Sequence, residues 1–362
     1  MKIDRLDIQS FRCYSYVSTQ FHPHLTILTG GNAQGKTSIL EALSLFTYGR
    51  SFRAHSDRET IRFGEQEARL RLMFSRHSGR EEMGMRISGK GKGISVNRVS
   101  KHNLSEFLGR FQSVVFTPDD LRFVKDGPEH RRRFLNLSLA QLHPDYVARL
   151  QLYNKLLQQR NQLLKTRHSG SLELWDEQLV PAGVGVAESR ARFIDELRPY
   201  TKQGYEVIAG MNDVVDVEYR PGFPNHGSAS YADALSHALV RSRSVDEKRG
   251  FTSAGPHRDD LVITFNGATT TYASQGQQRT AVLAIKLAVA QWVREKTGEH
   301  PVLLLDDVLS ELDLPRQRNL LAALSGAQVV LTVTHGHDVL PTDASDSKVF
   351  RVANGIILEE EG

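Results

Sequence analysis

Polar and apolar positions alternate along the first residues of the chain, with Ile3, Leu6 and Ile8 set between polar neighbours, and a β-prone run at 25–29 ends in Gly30-Gly31. Both stretches predict strands. A helix is predicted at 38–46, where apolar residues recur at helical spacing as far as Gly49. Across 61–100 the period returns to two. Leu70, Leu72 and Phe74 alternate, 83–87 alternates, and Ile94 and Val96 follow the Gly-rich loop 88–93, which together predict an antiparallel meander.

Between about 119 and 250 the pattern becomes helical. From 146 to 165, apolar residues at 146/147, 150, 153, 156/157 and 163/164 trace one face opposite Gln, Asn, Lys and Arg, and Pro144 suits a first helical turn. A second helical stretch runs from Leu172 to about Tyr200, where Pro181, Gly183 and Gly185 predict a kink or break. The two pieces predict an antiparallel arm of ~30–40 Å at ~1.5 Å per residue. Strands resume at 261–265 and 268–272 around the turn pair Asn266-Gly267, a hairpin signal. An apolar-rich helix follows at 278–296. The runs 302–305 and 329–333 are continuously apolar, the form of strands buried on both faces of an α/β sheet.

At 362 residues the chain exceeds the ~100–200 of a single domain and predicts two domains or one with a large insertion. Its 40% hydrophobic and 24% charged content is that of a globular protein rather than a disordered or fibrous one. The net charge of +4 hides an asymmetry: residues 76–101 carry +5 and 121–170 carry +7, whereas 301–362 carry −6. Cys13 is the only cysteine, which excludes an internal disulfide and a Cys-based metal site and fits a reducing cytoplasm. His22, His24 and His337 lack a complete zinc ligand set. The N-terminus has no apolar signal-peptide core, and no run approaches the ~18 apolar residues of a membrane span, so a cytoplasmic protein without a membrane partner is expected.

Gly30-Gly31-Asn32-Ala33-Gln34-Gly35-Lys36-Thr37 fits the spacing G-x4-G-K-[ST] between a predicted strand and a predicted helix. In such a loop the backbone N–H groups curl around phosphate, Lys36 reaches the β- and γ-oxygens, and the Thr37 hydroxyl ligates Mg²⁺. The helix N-terminus favours the same anion. A site of this kind needs a further acid at the end of a buried strand beside the loop. Asp306-Asp307 follows the apolar run 302–305 and supplies it. Asp306 is assigned to the metal through water and Asp307 to polarising the attacking water.

Ser274-Gln275-Gly276-Gln277-Gln278-Arg279 resembles the LSGGQ-type signature of ABC ATPases, although a Ser/Gly/Gln turn capping a helix looks the same. The order agrees with an ABC head: signature, about thirty residues, acidic strand end, and then Ser310-Glu311-Leu312-Asp313 where that family carries its D-loop. In that family one subunit's signature closes over ATP on the partner's P-loop, so the resemblance implies an ATP-dependent homodimer in which Ser274, Gly276 and Gln277 contact nucleotide. His335 falls where such heads carry a switch histidine with a catalytic role, and a surface-loop histidine reads the same.

Taken together, the chain resembles the RecF family of SMC-like ABC ATPases nearly end to end. The resemblance rests on Phe11-Arg12, the P-loop, Gly49-Arg50-Ser51-Phe52-Arg53, Pro118-Asp119-Asp120-Leu121 and Gly127-Pro128-Glu129-His130-Arg131-Arg132-Arg133-Phe134-Leu135. It continues with Leu156-Leu157-Gln158-Gln159-Arg160-Asn161, Gly255-Pro256-His257-Arg258-Asp259-Asp260, the Ser274 motif and Asp307-Val308-Leu309-Ser310-Glu311-Leu312-Asp313. Asn136 departs from the Asp that ends the family pattern, and Thr117 stands where a metal-contacting Q-loop glutamine would be sought. Asp307 replaces the Glu of general ABC heads, and the shorter acid implies slow hydrolysis suited to a switch.

The implied fold is α/β, a P-loop NTPase of ABC/SMC-head type with an antiparallel β subdomain and an inserted helical domain. On that scheme 1–118 and 251–362 form the ATPase head and 119–250 the helical insertion. The implied function is ATP-dependent DNA binding in recombinational repair and replication, on single-stranded, gapped or junction DNA. Partners RecR and RecO, with RecA loading and SOS induction downstream, come with it. Arg12 joins the nucleotide contacts by the same resemblance. Arg131, Arg132, Arg133, Lys90, Lys92 and Arg258 are candidate DNA contacts, each with a structural alternative as a solvated or ion-paired charge. A DNA-binding protein with a vestigial, non-hydrolysing ATP site and an ABC transporter ATPase subunit are the rival readings.

Overall fold

The computed structural model describes residues 1–166, 172–210, 213–225, 227–270, 273–334 and 347–360. Strands β1 (Lys2–Phe11) and β2 (Tyr14–Gln20) form a hairpin, and β3 (Leu25–Thr29) leads through loop 30–35 into α1 (Lys36–Tyr48). The meander expected from the alternation is present as β4 (Glu67–Arg76), β5 (Gly79–Ser88), β6 (Gly91–Val96) and β7 (Val99–Lys101), followed by β8 (Ser113–Phe116). Helices α2 (Arg122–Lys125), α3 (Pro128–Ala140), α4 (Pro144–Thr166) and α5 (Leu172–Ala209) come next, then β9 (Val215–Arg220) and α6 (Tyr231–Arg249). The remainder is β10 (Asp260–Phe265), β11 (Ala268–Thr269), α7 (Gln275–Thr297), β12 (Val302–Asp306), α8 (Leu314–Ala323), β13 (Val329–Val333), β14 (Ser347–Ala353) and β15 (Ile356–Glu360).

Three sheets result among the described residues. β2-β1-β4-β5-β6-β7 is antiparallel, β11-β10-β9 is a small antiparallel sheet, and β15-β14-β3-β13-β12-β8 is parallel from β14 to β8. The apolar runs 302–305 and 329–333 lie inside the parallel sheet and are buried on both faces. Along β12, Val302 and Leu304 enter the core shared with α1 and the large antiparallel sheet, while Leu303 and Leu305 enter the core under α5 and α7. That second core runs from Ile27, Val114 and Phe116 through the helical region to Val333, so it is continuous across residues 118/119 and 250/251.

The helical region differs from its sequence pattern in one respect. α5 is a single 38-residue helix through Pro181 and Pro199, with no break at Pro181. Of the two glycines that predicted a break, Gly183 serves close packing, as does Gly204 further along, while Gly185 makes only ordinary contact. A Cβ on Gly183 would lie 3.0 Å from Leu235 Cδ2, and one on Gly204 would lie 3.1 Å from the Ala284 carbonyl oxygen. α4 and α5 do run antiparallel, since Arg160 pairs with Asp176 at one end and Arg190 reaches the Tyr146 hydroxyl at the other. At about 57 Å for 38 residues, α5 outlasts the expected arm, and its later half packs on α7. The Asn266-Gly267 hairpin forms with both turn residues at positive φ, 49° and 80°. Its return strand is assigned over Ala268–Thr269, and Tyr272 lies outside the described residues.

Buried polar groups tie this region together. Arg160, wholly buried, donates to Asp176 (2.6 Å), Asp246 (3.1 Å) and Thr252 (2.9 Å). His257 Nδ1 lies 2.6 Å from the Tyr153 hydroxyl and Nε2 lies 3.0 Å from the Thr252 carbonyl oxygen, a pairing that a neutral ring completes. Burial pushes His257 down to about 4, with the backbone bond to Thr252 opposing. In the unfolded chain the ring binds a proton near its ordinary value of 6.5, so the unfolded state holds more protons between those values. Stability is therefore expected to fall by about 3 kcal/mol as pH drops from 6.5 towards 4. Urea unfolding of wild type and His257→Gln across this window tests it: the variant should lose that part of the acid slope, and equal slopes would refute a neutral buried ring.

Candidate functional site

Loop 30–35 leaves the C-terminal end of β3, in the middle of the parallel sheet, where a ligand crevice forms when connections depart to opposite faces. Gly30 has φ 143° and passes so close to β14 that a Cβ would lie 2.3 Å from the Val352 carbonyl oxygen. Gly35, at φ 116°, would place a Cβ 2.7 Å from Cys13 Sγ and 2.8 Å from the Tyr14 hydroxyl. Both positions require glycine for conformation and for space. The loop is braced from outside by Gln34, whose Oε1 accepts from Asn354 N (2.7 Å) and whose carbonyl accepts from Gly355 N (3.2 Å).

Lys36 folds back over this loop, its Nζ donating to the carbonyls of Gly30 (2.5 Å) and Gly31 (2.8 Å). Burial pulls its ammonium down, and Asp307 and Asp306 oppose that. Thr37 Oγ1 donates to Asp306 Oδ1 (2.8 Å), joining the start of α1 to the end of β12. Burial pushes the Asp306 carboxyl above its usual range, against hydrogen bonds from Thr37 and Thr332 and the nearby Arg53 guanidinium. Asp307 stands beside it at φ 50°, its N–H donating to Thr332 Oγ1 (2.9 Å). Thr334 Oγ1 lies 3.4 Å from its carboxylate.

These groups line a cavity of about 370 Å³ whose walls are Arg12, Cys13, residues 32–38, Arg53, Pro118, Asp306, Asp307, Thr332 and Thr334. Arg12, Ala33 and Asp307 all hold positive φ without being glycine, and such strain collects at functional sites. The cavity thus combines a backbone nest, a lysine, a hydroxyl and two carboxylates. Among the described residues no group of three or more His, Cys, Asp and Glu could hold a metal by itself. A hydroxyl beside one desolvated carboxylate instead fits a magnesium ion that keeps waters and takes phosphate oxygens.

Arg12 is fixed by Glu41, a fully buried carboxylate on α1, through Nε to Oε2 (2.8 Å) and Nη2 to Oε1 (2.6 Å). Ser51 Oγ donates to the same Oε1 (2.5 Å) and accepts from the N–H groups of Arg53 and Ala54, which aims Arg53 at the cavity. Glu41, Ser51 and Arg53 were missed as site residues, as were Thr332 and Thr334. The signal for Ser51 and Arg53 was the run Gly49–Arg53, Glu41 had none, and the threonines had only their place at the end of an apolar strand.

Ser274 caps α7 in a reciprocal box with Gln277, whose Oε1 accepts from Ser274 N (2.8 Å) and whose backbone N–H donates to Ser274 Oγ (3.2 Å). Gln277 Nε2 donates to Asp213 (2.8 Å). Ser274 is exposed, and Ser274, Gly276 and Gln277 are not among the described residues lining the cavity. His335 lies outside the described residues.

The basic candidates are placed as follows. Arg131 makes a bidentate pair with Asp260 (2.7 and 2.9 Å), Arg132 donates to the Asp259 carbonyl (3.0 Å), and Arg133 donates to the carbonyls of Ser51 (3.1 Å) and Phe52 (3.0 Å). All three act as struts between α3 and its neighbours. Lys92 pairs with Asp57 at 2.5 Å and donates to the Gly49 carbonyl, while Lys90 is exposed on the β5–β6 turn. Arg258 is exposed, its guanidinium 5.2 Å from the Phe251 ring centroid.

Comparison with known proteins adds to this geometry. A family model described as RecF/RecN/SMC N terminal domain matches residues 2–357. The chain is 38% identical to the DNA replication and repair protein RecF of Clostridium acetobutylicum, covering 99% of this chain and all of that one. It is 36% identical to the protein of the same name from Streptococcus thermophilus, over the whole of both. A solved structure of the recombination mediator protein RecF-ATP in the RecFOR pathway superposes with a TM-score of 0.91 at 31% identity, over 99% of this chain and 98% of that one. An Smc head bound to the C-terminal winged-helix domain of ScpA shares the fold alone, with a TM-score of 0.55 at 14% identity over 99% of this chain and 98% of that one.

Gly30→Ala should cost about 2 kcal/mol or more, because the Cβ meets the β14 backbone in a conformation L-residues avoid. Urea denaturation measures it, and a loss under about 0.5 kcal/mol would refute the close approach to Val352.

Proposed function

The chain belongs to the RecF family, and from that membership we propose that it is an ATP-binding protein of DNA replication and repair whose nucleotide state governs its grip on DNA. The observation that carries the reading is the meeting of Lys36, Thr37, Asp306 and Asp307 at one end of three adjacent parallel strands, with Thr37 and Asp306 2.8 Å apart. ATP phosphates would enter the nest of loop N–H groups, and Lys36 Nζ would exchange its two carbonyl partners for phosphate oxygens. Thr37 and Asp306 would hold Mg²⁺, which supplies charge neutralisation along the phosphates. Asp307 would orient the attacking water. Its side chain is one methylene shorter than glutamate, which favours slow hydrolysis and a switch over rapid turnover. A vestigial, non-hydrolysing site is the alternative, and steady-state phosphate release separates the two.

The exposed Ser274 box supports a second copy as the missing wall of the site, giving an ATP-dependent homodimer. DNA that is single-stranded, gapped or forms a junction is the proposed substrate. RecR and RecO, acting with RecA downstream, are the proposed partners from family membership, and a cytoplasmic location follows from that role. No helix among the described residues is long and apolar enough to cross a membrane.

Lys36→Ala should weaken ATP binding by about 10- to 100-fold, the worth of a charge-assisted hydrogen bond, as read by calorimetry. Unchanged affinity would sink the P-loop assignment. Ser274→Arg should bind ATP as wild type does and yet sediment as a monomer with ATP. A dimer in that experiment would rule out closure by the signature.

A further inference from the structure

Away from the nucleotide cavity, an open groove of about 820 Å³ lies between the start of α3, the β9–β10 sheet and the start of α6. Its size falls within the ~300–1,000 Å³ of ligand sites. The wall is the segment that follows β9, and a buried carboxylate builds it. Asp259, fully buried, accepts from Gly222 N (2.8 Å), Tyr219 Oη (2.5 Å) and Tyr231 Oη (2.7 Å). Gly222 is pressed so tightly onto the turn before β10 that a Cβ would lie 2.4 Å from the Arg258 carbonyl oxygen. The result is a fixed aromatic pair, Phe223 and Tyr231, with ring centroids 5.3 Å apart in an edge-on arrangement, partly open to the groove.

The charge around these rings is positive. Arg220 and Arg258, both exposed, line the groove, and the one acid among the described residues that line it, Asp260, is already neutralised by the bidentate Arg131. Glu218 meets Arg220 at 3.0 Å, with both side chains more than half exposed, where an ion pair holds little. Behind the turn stands Arg132, held below its usual value by burial and by the neighbouring Arg190 and Arg258 cations, with Asp260 and Glu129 opposing. Proline occupies 221 and 224, which removes the N–H groups that an added peptide strand would need. Partly open aromatic rings beside exposed arginines are the recognition elements of an unpaired nucleotide, base on ring and phosphate on guanidinium.

We propose that this groove binds single-stranded nucleic acid, with a base stacked on Phe223 and its flanking phosphates held by Arg220 and Arg258. The inference rests on the DNA-binding reading above and adds to it a place and a preference: an unpaired base reaches the rings, and a stacked base pair does not. It also separates Arg258, a groove cation, from Arg131, which is spent on Asp260.

The test uses the full chain with ATP and two labelled probes, a ~15-nucleotide oligothymidine and a duplex of the same length, followed by fluorescence anisotropy. Phe223→Ala should weaken oligothymidine binding by about 5- to 150-fold at unchanged salt slope, and leave duplex binding within about twofold. Phe223→Trp should restore it. Arg258→Ala should lower the single-strand salt slope by about 0.7. ATP affinity, unchanged in all three, shows that the variants are folded. Wild-type oligothymidine affinity in Phe223→Ala and Arg258→Ala overturns the groove while leaving the DNA reading intact. Equal losses on both probes overturn the stacking. A groove variant that loses affinity for poly-glutamate and keeps it for oligothymidine assigns the site to an acidic protein instead. Absence of binding to either DNA by wild type removes the DNA reading and this inference with it.

Discussion

The hydroxyl of Thr332 is the fixed point of the nucleotide site. Fully buried on β13, it donates to Asp306 Oδ1 (2.9 Å) and accepts from the N–H of Asp307 (2.9 Å), so one atom orients one acid by its side chain and the next by its backbone. It can do so only because β13 lies between β3 and β12 with Thr332 opposite Leu28 on one side and Asp306 on the other. A slip of one residue would turn every side chain to the other face. The register is held by apolar side chains that alternate into two cores, which makes the precision of the site a consequence of packing on both faces of the sheet.

A second set of contacts spreads outward from the cavity. Arg12 is held by Glu41, Glu41 by Ser51, the carbonyls at 51 and 52 by Arg133 on α3, and α3 by Arg131 to Asp260 at the groove. Charged groups buried in this way are costly unless each keeps its partner, so the chain of pairs specifies one arrangement of α1, α3 and β10. Continuity of contacts is not itself coupling between sites. It does mean that α3 cannot shift relative to the 51–53 segment without breaking the bonds of Arg133 to its carbonyls.

What was legible in the sequence is what local chemistry determines. The P-loop, the helix behind it, the two apolar strands, the meander and the Asn266-Gly267 turn each follow from neighbours within a few residues. Glu41 was not legible: it sits in Ile39-Leu40-Glu41-Ala42-Leu43, where a lone acid reads as the solvent face of a helix, and its partners are 29 residues before it and 10 after it. Thr332 was hidden for the same reason inside an apolar strand. Gly183 misled because a helix-breaking residue and a close-packing residue look identical until the neighbour, Leu235, is known.

Segment charge shows the same limit from another side. Residues 121–170 carry +7, which points to that region as the basic surface. Yet Arg160 is wholly buried among Asp176, Asp246 and Thr252, and Arg131 to Arg133 are drawn into contacts with Asp260, Asp259 and the 51–52 carbonyls. Long-range attraction belongs to cations that face water and lack a carboxylate of their own. By that criterion Arg131 to Arg133 and Arg160 serve the interior, Arg122, Lys125, Arg149, Lys155 and Lys165 still face water, and Arg258, from a motif Gly255–Asp260 with one cation and two acids, also presents its charge outward beside open aromatic rings. Net charge per segment counts residues; the field a partner meets depends on which of them folding has left unpaired.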